Sequence, residues 1–306
     1  MTYVSGLFYY NRKGVLNLQE IRKRLIYLHR TPTLTRRMIH KIKQFDPSLL
    51  CLFTYTPSEI SQFLTISMKQ ATILYRLLRD NKINHLLEQD EKQCRIITIY
   101  DTDYPPQLKY IHDAPLVLYA LGDTSLVKHL PSISVIGTRN PTKEAPEKLK
   151  YIVRPLLEKN WLIVSGLAYG IDSLAHQLTL YEKRKTISVL GSGFRYIYPK
   201  PNKGLFHQIV RYGLVLTEYP PDVPPKRYHF PERNRIISGI SNATLVIEAT
   251  EKSGTLITVD QALDQGKEVY AVPGSPLAPQ SVGCHKMIQD GAKLVMCAED
   301  IIEDWE

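Results

Sequence analysis

From residue 132 to its end, the chain alternates seven short apolar runs with segments of helical character. The runs cover residues 133–136, 162–164, 187–190, 214–216, 245–247, 269–272 and 294–296. Each run is apolar at consecutive positions, which is typical of parallel strands that are covered by helices on both faces. Because strands that alternate with helices form right-handed βαβ units, the pattern predicts an α/β fold with an open, mostly parallel, Rossmann-like sheet.

The residues before this region follow a different pattern. Apolar side chains recur at helical spacing at Leu18, Ile21, Leu25, Leu28, Ile39 and Ile42. Thr56-Pro57-Ser58-Glu59 predicts a helix start, and a further helix is predicted over residues 68–88. Residues 95–100 predict a short strand, after which closely spaced prolines favour an extended connector. We therefore expect a helical domain at 1–90, a connector with one strand at 91–131, and the α/β domain at 132–306.

The composition argues against several classes of protein. The 306 residues include 43% hydrophobic side chains but no run of the roughly 18 apolar residues that a membrane helix needs. The first residues lack the pattern of a secretion signal. Four cysteines are scattered without C-x-x-C spacing, and nine histidines form no metal-binding motif. We expect a soluble, cytoplasmic protein with reduced thiols, no metal and no cofactor.

The net charge of +9 is carried by the first 43 residues. They contain ten Lys and Arg residues and one acidic residue, Glu20, whereas the remainder of the chain has 29 of each sign. Such a segment is typical of a surface that faces a polyanion, with nucleic acid as the first candidate. The alternative is a solvated helical face that binds nothing.

Glycine-containing turns follow four of the predicted strands. They are Gly137-Thr138-Arg139, Ser165-Gly166, Gly191 and Pro273-Gly274. The carboxyl ends of parallel strands meet at one edge of a sheet, where ligands bind, and a backbone that approaches a phosphate closely has no room for a Cβ atom. The turns therefore predict a phosphate-binding rim. Neither G-x-G-x-x-G nor G-x-x-x-x-G-K-[ST] occurs, so the rim is not the usual site for NAD or ATP.

Residues 194–235 combine bases, aromatic rings and prolines at high density. The densest part includes Lys226, Arg227, Phe230, Arg233, Asn234 and Arg235. Cations neutralise phosphates while flat rings stack on exposed bases, so this composition is typical of a single-stranded nucleic-acid site. The alternative is that the rings are core residues and that the arginines pair with Glu218 or Glu232.

Five motifs resemble those of the DprA/Smf family of bacterial DNA-processing proteins. They are Gly137-Thr138-Arg139-Asn140-Pro141, residues 165–172 with Ala175-His176, residues 230–239, Glu248-Ala249 with residues 253–258, and Ala271-Val272-Pro273-Gly274. The likeness extends from residue 95 to residue 296 and, more loosely, into the helical N-terminal region. The motifs occur in the family's order, which makes the resemblance specific.

The resemblance implies an extended Rossmann-like domain behind a small helical domain of the sterile-alpha-motif (SAM) type. It also implies a homodimer that binds incoming single-stranded DNA during natural transformation and loads the RecA recombinase onto it, without enzymatic turnover. Tyr169 occupies a position that is commonly Arg in the family. Many members carry a C-terminal winged-helix domain, and we expect none before Glu306.

We predict that DNA is contacted by the glycine turns, by the basic and aromatic segment, and by the loop after the fifth apolar run. The predicted DNA-binding residues are Gly137, Thr138, Arg139, Ser165, Gly166, Gly191, Lys226, Arg227, Phe230, Arg233, Asn234, Arg235, Ser253, Gly254 and Thr255. The last apolar run is predicted to be an unpaired edge strand, which is a natural docking surface. Family likeness places a dimer interface there, with His285, Ile288 and Leu294.

Two enzymatic alternatives remain. Asp172 and His176 lie four residues apart on one helix face and could act with Ser165 as a catalytic set. The pattern favours a structural role instead, with Asp172 in the first turn of its helix, where a carboxylate is stabilising, and His176 packed or hydrogen-bonded inside the sheet edge. Glu248, followed by Ser253-Gly254-Thr255, is similar to the phosphate loop of Rossmann-like hydrolases that act on nucleoside monophosphates. The density of bases and rings in residues 194–235 favours the DNA-binding hypothesis.

Overall fold

The computed structural model describes residues 8–11 and 14–305, and the chain divides into two compact units. The first unit comprises residues 1–102 and 115–117, and the second comprises residues 103–114 and 118–306. Within the described residues, no helix is both long enough and apolar enough to cross a membrane. The four cysteines are free thiols, of which Cys51, Cys94 and Cys284 are buried.

The first unit is mostly helical. A short hairpin of β1 (Phe8–Asn11) and β2 (Gly14–Asn17) precedes the helices, and β3 (Arg95–Thr98) follows them. The helices are α1 (Leu18–Arg30), α2 (Arg36–Phe45), α3 (Cys51–Thr54), α4 (Pro57–Leu64), α5 (Met68–Leu77) and α6 (Lys82–Gln93). The helix start predicted at residues 56–59 is confirmed, since Thr56 and Glu59 form a capping box at the beginning of α4.

The helix predicted over residues 68–88 is wrong in its extent, because the chain divides there into α5 and α6. Asp80 lies in the break, and its carboxylate accepts a hydrogen bond from the backbone amide of Lys82 at 2.9 Å. Asp side chains compete with the helical backbone for such bonds and favour turns. The apolar spacing nevertheless identified core residues of this unit, since Ile21, Leu25 and Ile42 are buried.

The second unit contains a mostly parallel sheet. Its strands are β4 (Val117–Gly122), β5 (Ser132–Ile136), β6 (Leu162–Ser165), β7 (Thr186–Leu190), β8 (Leu214–Thr217), β9 (Ala243–Val246), β10 (Glu268–Ala271) and β11 (Lys293–Leu294). They lie in the order β11-β10-β9-β5-β6-β7-β8-β4. β4 is antiparallel to β8, whereas the other neighbouring pairs are parallel. The seven strands predicted from the apolar runs are confirmed, with ends that differ by at most two residues.

Strand β4 lies within the segment that was predicted to be a connector. Its apolar residues follow Pro115 directly, and the prolines of this region made an extended, irregular path the simpler prediction. Pairing with β8 decides the conformation instead, because Tyr119 lies opposite Thr217 and Leu121 lies opposite Val215. The sequence contains no local signal for a partner that is almost 100 residues away.

The strands from β5 to β11 are connected by α7 (Ala145–Glu158), α8 (Ile171–Tyr181), α9 (Lys203–Tyr212), α10 (His229–Ile240), α11 (Thr255–Asp264) and α12 (Pro279–Gln289), and α13 (Glu299–Ile302) follows β11. From β5 to β8 the chain moves across the sheet in one direction, and from β9 to β11 it moves in the other. Because parallel crossovers are right-handed, the two directions place helices on opposite faces of the sheet. The fold is thus an α/β, Rossmann-like sheet with helices on both faces.

Candidate nucleic-acid interface

The sheet changes its strand order between the neighbouring strands β5 and β9. The chain leaves these two strands in opposite directions, so a crevice forms at their carboxyl ends, where open α/β sheets bind ligands. A cavity of about 610 Å³ lies at this position. It is lined by the loop after β5, by the first turns of α10 and by the start of α11.

The loop after β5 brings Arg139 to the cavity. Gly137 is tightly enclosed, since a Cβ atom there would lie 2.6 Å from the Ile171 side chain and 2.7 Å from the Glu248 carbonyl oxygen. The backbone amide of Thr138 donates to that carbonyl oxygen at 2.7 Å, which fixes the loop. Arg139 is exposed, and its side chain forms no ion pair with the residues that the structure describes. Its guanidinium is therefore available to an anion.

The start of α11 forms a second wall of the cavity through Ser253, Gly254 and Thr255. The Ser253 hydroxyl accepts a hydrogen bond from the Thr255 amide at 3.1 Å and lies 2.8 Å from the Thr255 hydroxyl. Gly254 is exposed, and a Cβ atom there would have no neighbour within 4 Å. The first amides of a helix carry partial positive charge, so this wall favours an anion as well.

Aromatic rings form the side of the cavity next to Arg139. The rings of Tyr198 and Phe230 are tilted by 52° with their centres 5.5 Å apart. Gly191 permits this arrangement, because a Cβ atom there would lie 3.0 Å from the Phe230 ring. Tyr198 is 46% exposed and Phe230 is half-buried, so both retain ring surface toward the cavity. Tyr169, which is 43% exposed, borders the narrow cleft beside this pair.

Arg233 and Asp172 form the buried floor of the cavity. Arg233 donates to the Val189 carbonyl oxygen at 3.0 Å, while its Nε has no partner within the described parts of the chain. Asp172 accepts from the amides of Gly166 at 3.2 Å and Ala168 at 3.4 Å. Burial raises the pKa of Asp172, and the positive charge of Arg233 offsets this only in part. Arg233 is buried beside Asp172, whereas Arg139 and Arg227 are the exposed cations in the lining of the cavity.

Most of the predicted DNA-binding residues meet at this edge of the sheet. The large cavity is lined by Gly137, Thr138, Arg139, Arg227, Phe230, Arg233, Asn234, Ser253, Gly254 and Thr255. Gly166 and Gly191 line the adjoining cleft. Lys226 lines neither space, and its ammonium group lies 5.7 Å from the centre of the exposed Tyr228 ring.

Two predicted DNA-binding residues lie away from the cavity surface. The Ser165 side chain is fully buried, and its hydroxyl donates to the Val135 carbonyl oxygen at 2.7 Å. Arg235 is buried and bridges Glu218 at 2.7 and 2.8 Å and Asp113 at 3.3 Å. Burial disfavours the charge on Arg235, but the two carboxylates outweigh burial and raise its pKa. Direct DNA contact by these two side chains does not fit the structure, and pairing with Glu218 was the alternative for Arg235.

Nine residues that line the cavity were absent from the predicted set, and the more informative ones are Asn140, Tyr198 and Ile257. Asn140 belongs to the first glycine motif, and Tyr198 belongs to the aromatic-rich segment, so the sequence contained a signal for both. Ile257 is 40% exposed on α11. It lies within the motif of residues 253–258, but an apolar side chain at this position gave no signal for contact with a ligand.

The two enzymatic alternatives find little support in the geometry. His176 is fully buried, its Nδ1 lies 2.8 Å from the Thr186 hydroxyl, and burial lowers its pKa to about 3. The hydroxyl of Ser165 is directed at a strand carbonyl rather than at His176. Glu248 is 1% exposed and accepts hydrogen bonds from Lys148 at 2.8 Å and from the Thr142 hydroxyl at 2.6 Å. Its carboxylate stabilises the loop before α7 and does not line the cavity.

The predicted dimer residues lie in and after α12. His285 is half-buried, with Nε2 within 3.3 Å of the amide and 3.1 Å of the carbonyl oxygen of Gly274. Ile288 is half-buried, and Leu294 is 40% exposed on β11 at the end of the sheet. Met296, next to that edge, is 66% exposed. Whether these residues form an interface remains a prediction.

Part of the basic charge in residues 1–43 is paired with carboxylates inside the first unit. Arg30 pairs with Asp90 at 2.6 Å in a buried position, and Arg22 pairs with Asp101 at 2.8 Å. Arg24 donates to the Ser48 carbonyl oxygen at 2.9 Å. Arg12 and Lys13 lie outside the described residues. These contacts use some of the bases of this segment within its own unit, so its net charge overstates the charge available to a ligand.

Comparison with known proteins identifies relatives over the α/β region. The family model of DNA recombination-mediator protein A matches residues 95–306. A DNA processing protein DprA of Bacillus subtilis (strain 168) is 44% identical over 214 residues, which are 70% of this chain and 72% of that protein.

Two solved structures are similar to this one. That of DNA processing protein A from Streptococcus pneumoniae has a TM-score of 0.81 and 35% identity, and the match covers 92% of this chain and 98% of that one. The other is that of DNA processing protein A from Helicobacter pylori, and it gives insight into the single-stranded DNA binding mode of that protein. It has a TM-score of 0.63 and 27% identity, and the match covers 69% of this chain and 95% of that one.

Proposed function

Because the chain belongs to the DNA recombination-mediator protein A (DprA/Smf) family, we propose that it binds single-stranded DNA at the carboxyl edge of its sheet. One observation carries the proposal: the exposed guanidinium of Arg139 and the tilted rings of Tyr198 and Phe230 line the same cavity. An unpaired strand offers phosphates to a cation and base faces to aromatic rings. The described binding of single-stranded DNA by the Helicobacter pylori relative supports this choice of ligand.

The phosphate is held by Arg139 and by the first amides of α11. A guanidinium forms paired hydrogen bonds with two phosphate oxygens, which gives direction as well as charge. Ser253, Gly254 and Thr255 line the same cavity at the start of this helix, where the partial positive charge of the helix favours an anion. Arg227 is exposed at the rim and supplies a second cation for the neighbouring phosphate.

A base stacks on the ring pair of Tyr198 and Phe230. The cavity of about 610 Å³ is within the range of roughly 300 to 1,000 Å³ that is common for small-ligand sites, so a nucleotide unit fits. Tyr169, where the family commonly has Arg, presents a third ring and not a cation at the adjoining cleft. At position 169, this chain therefore offers a ring for stacking in place of a charge for a phosphate.

The proposed role is binding without turnover. A nucleotide hydrolase requires a carboxylate that faces the substrate, whereas Glu248 is buried against Lys148 and Thr142. Asp172, the carboxylate nearest the ligand, is occupied by two backbone amides and faces Arg233. Incubation with AMP tests the alternative, since release of adenine or of ribose phosphate would support hydrolysis.

The finer role rests on family membership. A recombination mediator delivers DNA to a recombinase, so we include in the proposal that the bound strand is DNA taken up during transformation and that RecA receives it. This role is tested by measuring RecA filament formation on a strand already covered by single-stranded-DNA-binding protein. A stimulation that requires this protein supports delivery, and filament growth at an unchanged rate contradicts it.

Affinity for an oligonucleotide compared with its blunt duplex tests the binding site itself. We expect the single strand to bind at least about tenfold more tightly, because stacking requires unpaired bases. The logarithm of the affinity should fall with the logarithm of salt concentration by about 0.7 for each phosphate contacted. Equal affinity for the single strand and the duplex would refute the proposal.

A further inference from the structure

The amino ends of the parallel strands form a second set of cavities, at the sheet edge opposite the proposed DNA site. Three cavities of about 490, 400 and 440 Å³ lie there in the second unit. Lys128 borders the first and the second, Leu130 borders the second and the third, and Trp161 borders the first and the third. Each pair of cavities shares a bordering residue, so the three adjoin one another, and together we call them the amino-edge groove.

The groove is lined by bases and, among the described residues, by no carboxylate. The bases are Lys128, Lys159, Lys183, Arg184, Lys185 and Lys267. Asp123 lies nearby and pairs with Lys185 at 2.8 Å. A surface of one sign along a concave path concentrates a polyanion, and the absence of carboxylates from the lining removes the repulsion that a phosphate chain would meet.

Three of these bases are directed to solvent. Lys128, Lys183 and Arg184 are exposed, and their side chains form no ion pair with any residue that the structure describes. Each precedes a strand: Lys128 lies before β5, and the other two lie before β7. Arg235 is buried and paired with carboxylates, whereas the charges of these three bases face solvent and can reach a ligand.

Aromatic and apolar side chains accompany the bases along the groove. Tyr110 lines the second cavity and is 88% exposed. Trp305 is 39% exposed in the third cavity and packs edge-on against Trp161, with ring centres 5.8 Å apart. Leu130, between these two cavities, is 55% exposed. Alternating cations and ring faces are typical of sites for unpaired nucleic acid, since a duplex presents no base faces for stacking.

We propose that the amino-edge groove is a second binding site for single-stranded DNA, which holds a segment of the strand whose other segment occupies the carboxyl-edge cavity. This proposal rests on the proposed function, because it assigns more of the same ligand. The two edges are separated by the length of strands of four to five residues, or roughly 15 Å plus the loops. A strand of a few tens of nucleotides reaches around this distance, given footprints of about 4 to 16 nucleotides for one site.

Charge reversal at the groove, measured with two lengths of DNA, tests this proposal. One oligonucleotide has about 6 nucleotides and fills a single site, and the other has about 40 and spans both. The variants are Lys128→Glu and Arg184→Glu, and the control is Lys150→Glu, an exposed base on α7 that lines no cavity described above. All three change the net charge equally, so any difference between them reflects position.

We expect Lys128→Glu and Arg184→Glu each to weaken binding of the long strand by about fivefold, and to reduce its salt slope by about 0.7. Binding of the short strand should be within twofold of that of Lys150→Glu, because the carboxyl-edge cavity is intact. If the groove variants match the control on the long strand, the groove proposal is overturned. If the unaltered protein fails to bind the short strand, the function proposed for the cavity fails instead, and the long strand then shows whether the groove binds alone.

Discussion

At the scale of single residues, Arg139 is expected to be the strongest contact to DNA. Arg139→Ala should weaken binding of single-stranded DNA by about 2 kcal/mol, or roughly 30-fold, because a charge-assisted contact in a preformed cavity is lost. Arg139→Lys should remain damaging, since an ammonium group cannot form the paired hydrogen bonds of a guanidinium. Titration with a labelled oligonucleotide measures both. A folded Arg139→Ala variant with unaltered affinity would show that the phosphate lies elsewhere.

Phe230 should contribute through stacking. Phe230→Ala is expected to weaken binding by about 1 to 3 kcal/mol and to leave the salt slope unchanged, because stacking releases no counterions. The ring also packs next to Gly191 and Tyr198, so part of its role is structural. Melting temperature and affinity measured on the same variant separate the two roles. A lower melting temperature with normal affinity for the folded fraction would assign Phe230 to the core.

Arg235, in contrast to Arg139 and Phe230, should contribute to stability and not to DNA binding. Removal of one partner from a buried ion pair is strongly destabilising. Arg235→Ala is therefore expected to lower the free energy of unfolding by about 3 to 5 kcal/mol, because Glu218 and Asp113 lose the cation that they share. Arg227→Ala, at an exposed position of the same segment, should leave the melting temperature unchanged and weaken DNA binding. Chemical denaturation and titration distinguish the pair. Equal stability of the two variants would contradict the assigned role of Arg235.

At the scale of elements, the sequence predicted what depends on local pattern. The parallel strands were found because burial on both faces makes each one apolar at every position. The division between α5 and α6 and the pairing of β4 were missed, since each depends on a contact that periodicity does not encode. Within α10, Arg233 and Arg235 are two residues apart and point in different directions. The sequence showed that both residues are cations, but it did not show that Arg235 forms an ion pair with Glu218.

The packing of α8 against β7 predicts a dependence of stability on pH. His176 is buried between these elements with a pKa of about 3, so the folded chain resists protonation that the unfolded chain accepts near pH 6.5. Stability from this residue is therefore complete above about pH 6.5 and decreases toward pH 3, by up to about 1.4 kcal/mol per pH unit. Melting temperature measured from pH 7 to pH 4 should fall less steeply for His176→Gln than for His207→Gln, which alters an exposed histidine of α9. Parallel curves would contradict this.

At the scale of the whole molecule, the distribution of charge does not by itself identify the DNA-binding surface. The most basic part of the sequence, residues 1–43, uses Arg22, Arg24 and Arg30 for contacts within its own unit. The rest of the chain, which has equal numbers of basic and acidic residues, contains the cavity with Arg139 and the amino-edge groove. Net charge counts all cations, whereas binding to DNA depends on the cations that are not paired with a carboxylate. Only the three-dimensional structure distinguishes paired cations from unpaired ones.

The edge strand β11 is where we expect two copies of the chain to associate into a dimer. Leu294 is 40% exposed on β11 at the end of the sheet, and an unpaired edge favours pairing with a second copy. Deleting the C-terminal segment would also remove Val295 and Ile301 from the core, so a point substitution is the sharper test. Leu294→Glu should yield a monomer by light scattering, whereas Leu263→Glu, at another exposed leucine, should not.

The loss of the dimer should also weaken binding to a long strand. Two linked sites engage one strand with a high effective concentration, and their separation removes a gain of about 100-fold or more. Binding of a short strand, which occupies one protomer, should be unchanged in Leu294→Glu. A chain that is monomeric before substitution, with the same affinity for long strands as the variant, would show that one protomer supplies the whole DNA-binding surface.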